Sequence, residues 1–144
     1  MKPQNFSNHS RIVKGFHIVT FALILAVLIL SVINFFYVLG QPYWIFTGII
    51  PFLISIVLIL IAFYARFFAL KAQDRAIRAE ENFRHFILTG KPLPSSLKLA
   101  QIIALRFAPD EELTALVQRA IKETLSSKEI KKSIVNWKAD NDRA

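Results

Sequence analysis

The chain has 144 residues, no cysteine, a formal net charge of +8 and a composition that is 54% hydrophobic. Without thiols it cannot form disulfides or thiolate metal sites, which suits a cytosol-facing domain. The charge is unevenly placed, because residues 15–65 contain no Lys, Arg, Asp or Glu. That excludes an ordinary soluble surface for the first half of the chain.

Gly40-Gln41-Pro42 divides the uncharged stretch into two apolar segments, expected as spans over about residues 18–38 and 45–64. Each has the roughly 20 residues a helix needs to cross about 30 Å of hydrocarbon. About fifteen residues of the first and fourteen of the second are Ile, Leu, Val or Phe. At about 0.3–0.6 kcal/mol each, insertion gains on the order of 5 kcal/mol per span. A soluble hairpin of this composition would need a partner surface that the chain does not supply. A secretory signal is disfavoured, since the first run exceeds the roughly 7–15 residues of a signal core and a second span follows it.

Orientation follows from the flanks. Lys2, Arg11 and Lys14 precede the first span, Arg66, Lys71, Arg75 and Arg78 follow the second, and the Leu39–Tyr43 turn is uncharged. Cationic flanks stay cytoplasmic, so the chain is expected to be a multi-pass membrane protein with both termini in the cytosol and the turn outside. Tyr37, Tyr43 and Trp44 are placed to anchor at the outer interface and Tyr64 at the inner one. Arg66, Lys71, Arg75 and Arg78 are expected to contact anionic lipid headgroups, at about 1 kcal/mol per cation close to the surface. Asn34 is the most polar residue of the first span, with Ser31 one turn before it. An interhelical bond fixing register or a point on a permeation path is one reading, and an interfacial amide that finds water or a neighbouring carbonyl is the favoured one. His17 reads as an interfacial histidine, and Pro51 should bend the second helix.

The most regular pattern is a small-residue seam. Ala62, Ala65, Ala69, Ala72, Ala76, Ala79, Phe83 and Phe86 are spaced alternately three and four apart, and the stripe extends back through Leu58, Ser55, Pro51 and Gly48. Such spacing is a heptad-type repeat, and small residues let helix backbones approach closely. It predicts one helix over about residues 43–88 that leaves the membrane as a cytosolic extension (66–90). The seam's partner could be a second protomer, the first span or the C-terminal helices. Glu80–Arg84 and Asp74–Arg78 have ion-pair spacing, and Glu81–His85 alone is too sparse for a metal.

Gly90, Pro92 and Pro94 end the helix, and three short helices are expected in the tail (91–144). The first starts at Ser95 or Ser96 and carries Leu99, Ile102, Ile103 and Phe107. The second starts at Pro109 with Asp110, Glu111 and Glu112 in its first turn. The third starts at the Ser126–Glu129 capping box, and Ile130, Ile134 and Trp137 form its apolar stripe. That stripe is a candidate partner surface, although closing the tail's own core is the favoured use of it. Fraying is expected from Asp140. Residues 91–144 hold ten basic and seven acidic residues, interspersed, so nucleic acid is not an expected partner.

The blocks Gln73-Asp74-Arg75, Ile77-Arg78 and Glu80-Glu81, then Gln101, Ala104-Leu105-Arg106-Phe107-Ala108 and Asp110, and finally Ile130-Lys131-Lys132 with Ile134 and Trp137 carry a resemblance. The chain resembles a family of small bacterial membrane proteins, a domain of unknown function with a two-span hairpin and a cytosolic helical tail; Ala79 and Pro109 depart from its usual residues. The resemblance implies a bacterial inner membrane and brings no activity, cofactor or metal with it. The fold class expected is therefore all-α: a membrane hairpin (1–65) whose second helix extends into the cytosol, followed by three short helices. The expected function is a non-enzymatic, self-associating membrane-anchored interaction module with a cytosolic or membrane protein partner. The alternative is a small oligomeric channel or transporter subunit lined by Ser31, Asn34 and Ser55.

Overall fold

The computed structural model describes residues 4–8 and 13–140. Lys2 and Arg11, used above for orientation, lie outside them, as do the residues after Asp140. The described chain is all-helical, with α1 over Phe21–Val38, α2 over Ile50–Thr89, α3 over Leu99–Leu105, α4 over Asp110–Lys122 and α5 over Ser127–Ser133. Single π-helical segments, Gly15–Thr20 and Ile45–Ile49, lead into α1 and α2. Two helical runs, Gly15–Val38 and Ile45–Thr89, are long and apolar enough to cross a membrane.

The chain divides into two compact units, one of residues 11–68 and the other of residues 1–10 with 69–144. Residues 69–89 of α2 share a unit with the tail, and Ile77, Glu81 and His85 are buried there.

In the first unit, the turn between the helices takes positive φ at Gly40 (81°) and Tyr43 (63°). Gly48 lies so close to α1 that an added Cβ would sit 2.9 Å from Val38 Cγ2. Phe35 of α1 meets Trp44 and Phe52, with ring centroids 6.3 and 5.9 Å apart. Deeper in, the Ser31 and Ser55 hydroxyls are 3.1 Å apart, and each also reaches a carbonyl of its own helix. Pro51 has no N–H for the carbonyl of Thr47, four residues back. The Asn34 side-chain amide of α1 donates to that carbonyl instead. If this segment lies in hydrocarbon, an acceptor orphaned by the proline would cost several kcal/mol, a cost the Asn34 bond would remove. Asn34 thus finds a neighbouring carbonyl, and that carbonyl lies at the start of the second helical run.

In the second unit, Gly90 (φ 70°) donates to the Phe86 carbonyl at 2.8 Å and stops α2. The tail then folds around Leu105, Phe107, Leu113, Val117 and Ile130, each at most 1% exposed. α3 starts at Leu99 rather than at Ser95 or Ser96, since residues 95–97 form a turn and the Gln101 side chain caps the Lys98 N–H at 2.7 Å. α4 begins at Asp110 after an extended Pro109. α5 has the expected box, Ser126 N–H to Glu129 Oε2 at 2.7 Å and Glu129 N–H to Ser126 Oγ at 3.3 Å.

α5 ends earlier than its apolar stripe suggests. The Glu112 carboxylate accepts the N–H groups of Val135 (3.0 Å) and Asn136 (2.9 Å), and Ile134 is extended. Charge-assisted bonds to those two donors outweigh one more helical turn. Nor is Asp140 frayed. Its N–H donates to Gln4 Oε1 (2.9 Å), the Gln4 amide returns a bond to its carbonyl (3.2 Å), and its carboxylate lies 3.1 Å from Arg106 Nε.

Candidate functional site

Within the tail unit, α2 presents two opposed faces. Side chains advance about 100° per residue around an α-helix, so Ile77, Glu81, Arg84 and His85 fall on one side. Ala69, Ala72, Ala76, Ala79, Phe83 and Phe86 fall on the other. Ile77, Glu81 and His85 are buried, at 6, 7 and 4% exposure. The alanines of the second set are exposed, and Phe83 and Phe86 are 65 and 50% exposed.

The covered face is held by polar pins. Arg84 bridges Glu81 Oε2 at 3.0 Å, reaches Asp110 Oδ1, and donates from Nη2 to the Ala108 carbonyl at 2.8 Å. The sequence pairing of Glu80 with Arg84 is therefore replaced by Glu81 and Asp110, and no Asp74–Arg78 pair occurs among the described residues. Of the two acids Arg84 meets, Glu81 is buried and Asp110 is exposed, so the Glu81 pair is the one shielded from water and salt. Burial pushes the Glu81 carboxyl up despite the neighbouring Arg84. His85 Nδ1 lies 2.8 Å from the Lys91 carbonyl and thereby ties down the turn after α2, leaving Nε2 buried without a hydrogen-bond partner among the described residues. Asn82 Oδ1 accepts the Leu93 N–H at 2.9 Å.

The stripe named as a candidate partner surface closes the tail's own core, the favoured use of it. Ile130 and Ile134 are 0 and 6% exposed within the tail's own core, and Trp137 packs against that core with its ring centroid 5.0 Å from that of Phe107. Arg106 and Lys131 lie over the same Phe107 ring at 4.7 and 5.5 Å. Backbone capture by Val135 holds the Glu112 carboxyl below the usual carboxylate range, with Asn136 adding to it.

The seam is shared between uses. Gly48 and Ser55 at its start are buried against α1, Ala62 is half-buried, and Ala65 is exposed. The C-terminal helices do not take the seam at all, since they cover the opposite face. Among the expected headgroup contacts, Arg66 belongs to the hairpin unit, Lys71 is exposed, and Arg75 and Arg78 line a cavity beside the Leu93–Leu97 segment. Ser31, Asn34 and Ser55 bond within the hairpin. Among the described residues no group of three or more His, Asp or Glu could hold a metal ion.

These features define an all-helical protein with two apolar helices of membrane-spanning length and a compact helical tail. The chain belongs to a family of unknown function, DUF6526, whose profile matches residues 1–144. No curated protein and no solved structure matches it.

Proposed function

We propose that the protein is a non-enzymatic, membrane-anchored interaction module of a bacterial inner membrane, with both termini cytoplasmic, that self-associates along the alanine seam of α2. The observation that carries the reading is the division of α2 into a face covered by the tail and a bare one made of alanine and phenylalanine. A bare face of small residues admits a second helix at close range. Burying the two phenylalanines would contribute about 1.5–3 kcal/mol each.

Membrane insertion is supported by how little of the apolar helices the chain itself covers. Only 6% of the most apolar window of the first and 11% of that of the second are buried, whereas the core helix of a soluble protein is mostly buried. A common side for the two termini is supported by the reciprocal bonds between Gln4 and Asp140, which keep the ends together in one unit. Arg66 and Lys71 then serve anionic headgroups. A non-enzymatic role is supported by the employment of Glu81, Arg84 and Glu112 as structural pins. With Ile130, Ile134 and Trp137 turned inward, a protein partner would meet the α2 seam first.

The test is the mass of the full chain in mild detergent. An oligomer that Ala72→Leu with Ala76→Leu dissociates or rearranges supports the reading. A wild-type chain that is monomeric across detergents and concentrations contradicts it.

A further inference from the structure

We propose that the cavity between α2 and the Leu93–Leu97 segment, which shares Ala79 with the edge of the seam, binds a phosphate-bearing anion. The cavity measures about 390 Å³, within the size range of small-molecule sites. Arg75 and Arg78 form one wall, Asn82 and Ser95 supply uncharged polar groups, and Leu97 and Ile102 contribute apolar surface. No Asp or Glu lines it.

The two arginines stand apart from the others in their unit. Arg84, Arg106 and Arg119 each have a carboxylate within ion-pair distance, as Glu81 with Asp110, Asp140 and Glu123 respectively. Arg75 and Arg78 have no such partner among the described residues. Three positions apart on one helix, they repel one another. The polar groups beside them are donors with capacity to spare. Asn82 uses its Oδ1 to accept the Leu93 N–H, so its amide hydrogens remain to donate. The Ser95 hydroxyl makes no hydrogen bond among the described residues, and a hydroxyl is both donor and acceptor.

Two guanidinium forks, an amide and a hydroxyl make a set of donors matched to a tetrahedral oxyanion, since guanidinium engages phosphate bidentately. The apolar residues and the volume beyond what a bare phosphate fills point to a phosphate ester. That chemistry is shared by a soluble phosphomonoester and by the headgroup of an anionic phospholipid.

Calorimetric titration of the full chain separates the two. In neutral detergent micelles the probes are glycerol 3-phosphate and short-chain phosphatidylglycerol, with zwitterionic phosphatidylcholine, whose phosphate is balanced by its own cation, as the comparison of zero net charge. Saturable binding that falls at least about tenfold in Arg75→Gln/Arg78→Gln is expected, with Arg75→Lys/Arg78→Lys falling between because charge without the planar fork is only part of the recognition. Binding of glycerol 3-phosphate assigns a soluble ester, and binding of phosphatidylglycerol alone assigns a lipid headgroup. Lys128→Gln, on exposed α5, should leave the affinity unchanged. Circular dichroism and tail melting of the glutamine variant establish that it is folded. Absence of saturable binding to either probe overturns the proposal, as does binding that the folded glutamine variant keeps in full.

Discussion

The hairpin and the tail spend hydrophobic side chains in opposite ways. In the tail, Phe107, Leu105, Leu113, Val117 and Ile130 turn inward and are excluded from solvent by the tail's own helices. In the hairpin, Leu23, Leu30, Ile33, Phe36, Phe46 and Ile61 are all at least half exposed, and the buried groups are a glycine and two serines. Hiding small and polar residues while displaying large apolar ones is the pattern that the proposed membrane setting calls for. The tail obeys the ordinary aqueous rule.

If that contrast is right, the largest single-site effect belongs to the tail core. Phe107→Ala should destabilise the tail by about 3–5 kcal/mol, read as a lower midpoint in denaturant by Trp137 fluorescence, while far-ultraviolet dichroism still reports the hairpin helices. Next is the clamp on α2. Arg84→Met leaves the buried Glu81 carboxylate without its cation and should cost about 2–4 kcal/mol. Adding Glu81→Gln should recover part of the loss, and a variant as stable as the wild type would show that the pair is incidental. In the hairpin, Asn34→Leu leaves the Thr47 carbonyl unserved and should weaken helix–helix contact by about 1 kcal/mol, measured as easier separation of the hairpin in sodium dodecyl sulfate. Pairing Asn34→Leu with Pro51→Ala, which restores the backbone donor, should return most of the stability.

The smallest effects are those of pH. The Glu112 carboxyl is held low in the folded tail by its backbone partners. Its contribution is therefore present above the unfolded value near 4.3 and is lost as pH falls through the folded one. Glu81 is raised by burial, which gives the opposite sign: its contribution is full below the unfolded value and is lost as pH rises through the folded one. Melting curves of the tail should lose part of their downward acid slope in Glu112→Gln, and Glu81→Gln should flatten the loss that sets in as pH rises above the unfolded carboxylate value. Curves that superimpose on the wild type in both variants would show that neither carboxyl is coupled to folding.

How much of this was legible depends on the range of the interaction. The spans, Gly90 as a terminator, the Ser126–Glu129 box and the acidic start of α4 are local chemistry, read from residues within a turn of one another. The end of α5 was misjudged because it is decided by Glu112, whose bonds to Val135 and Asn136 span more than twenty positions. Arg84 with Asp110 and Gln4 with Asp140 are longer-range still, and their sequence spacing carries no periodic signal. Asn34 and Pro51 could have been linked from sequence: a proline inside a span implies an orphaned carbonyl four residues earlier, and the first span has one amide to serve it. The seam was visible as spacing. Which of its candidate partners it lacks became visible only once the tail was found on the opposite face.

The chain contains no cysteine, so one introduced thiol reports a single neighbourhood. Oxidative cross-linking of Ala72→Cys in native membranes should give a covalent dimer rapidly, whereas Gln118→Cys, on the exposed side of α4, should not. Equal rates at the two positions, or no dimer from Ala72→Cys at any protein density, would contradict pairing of two copies along α2.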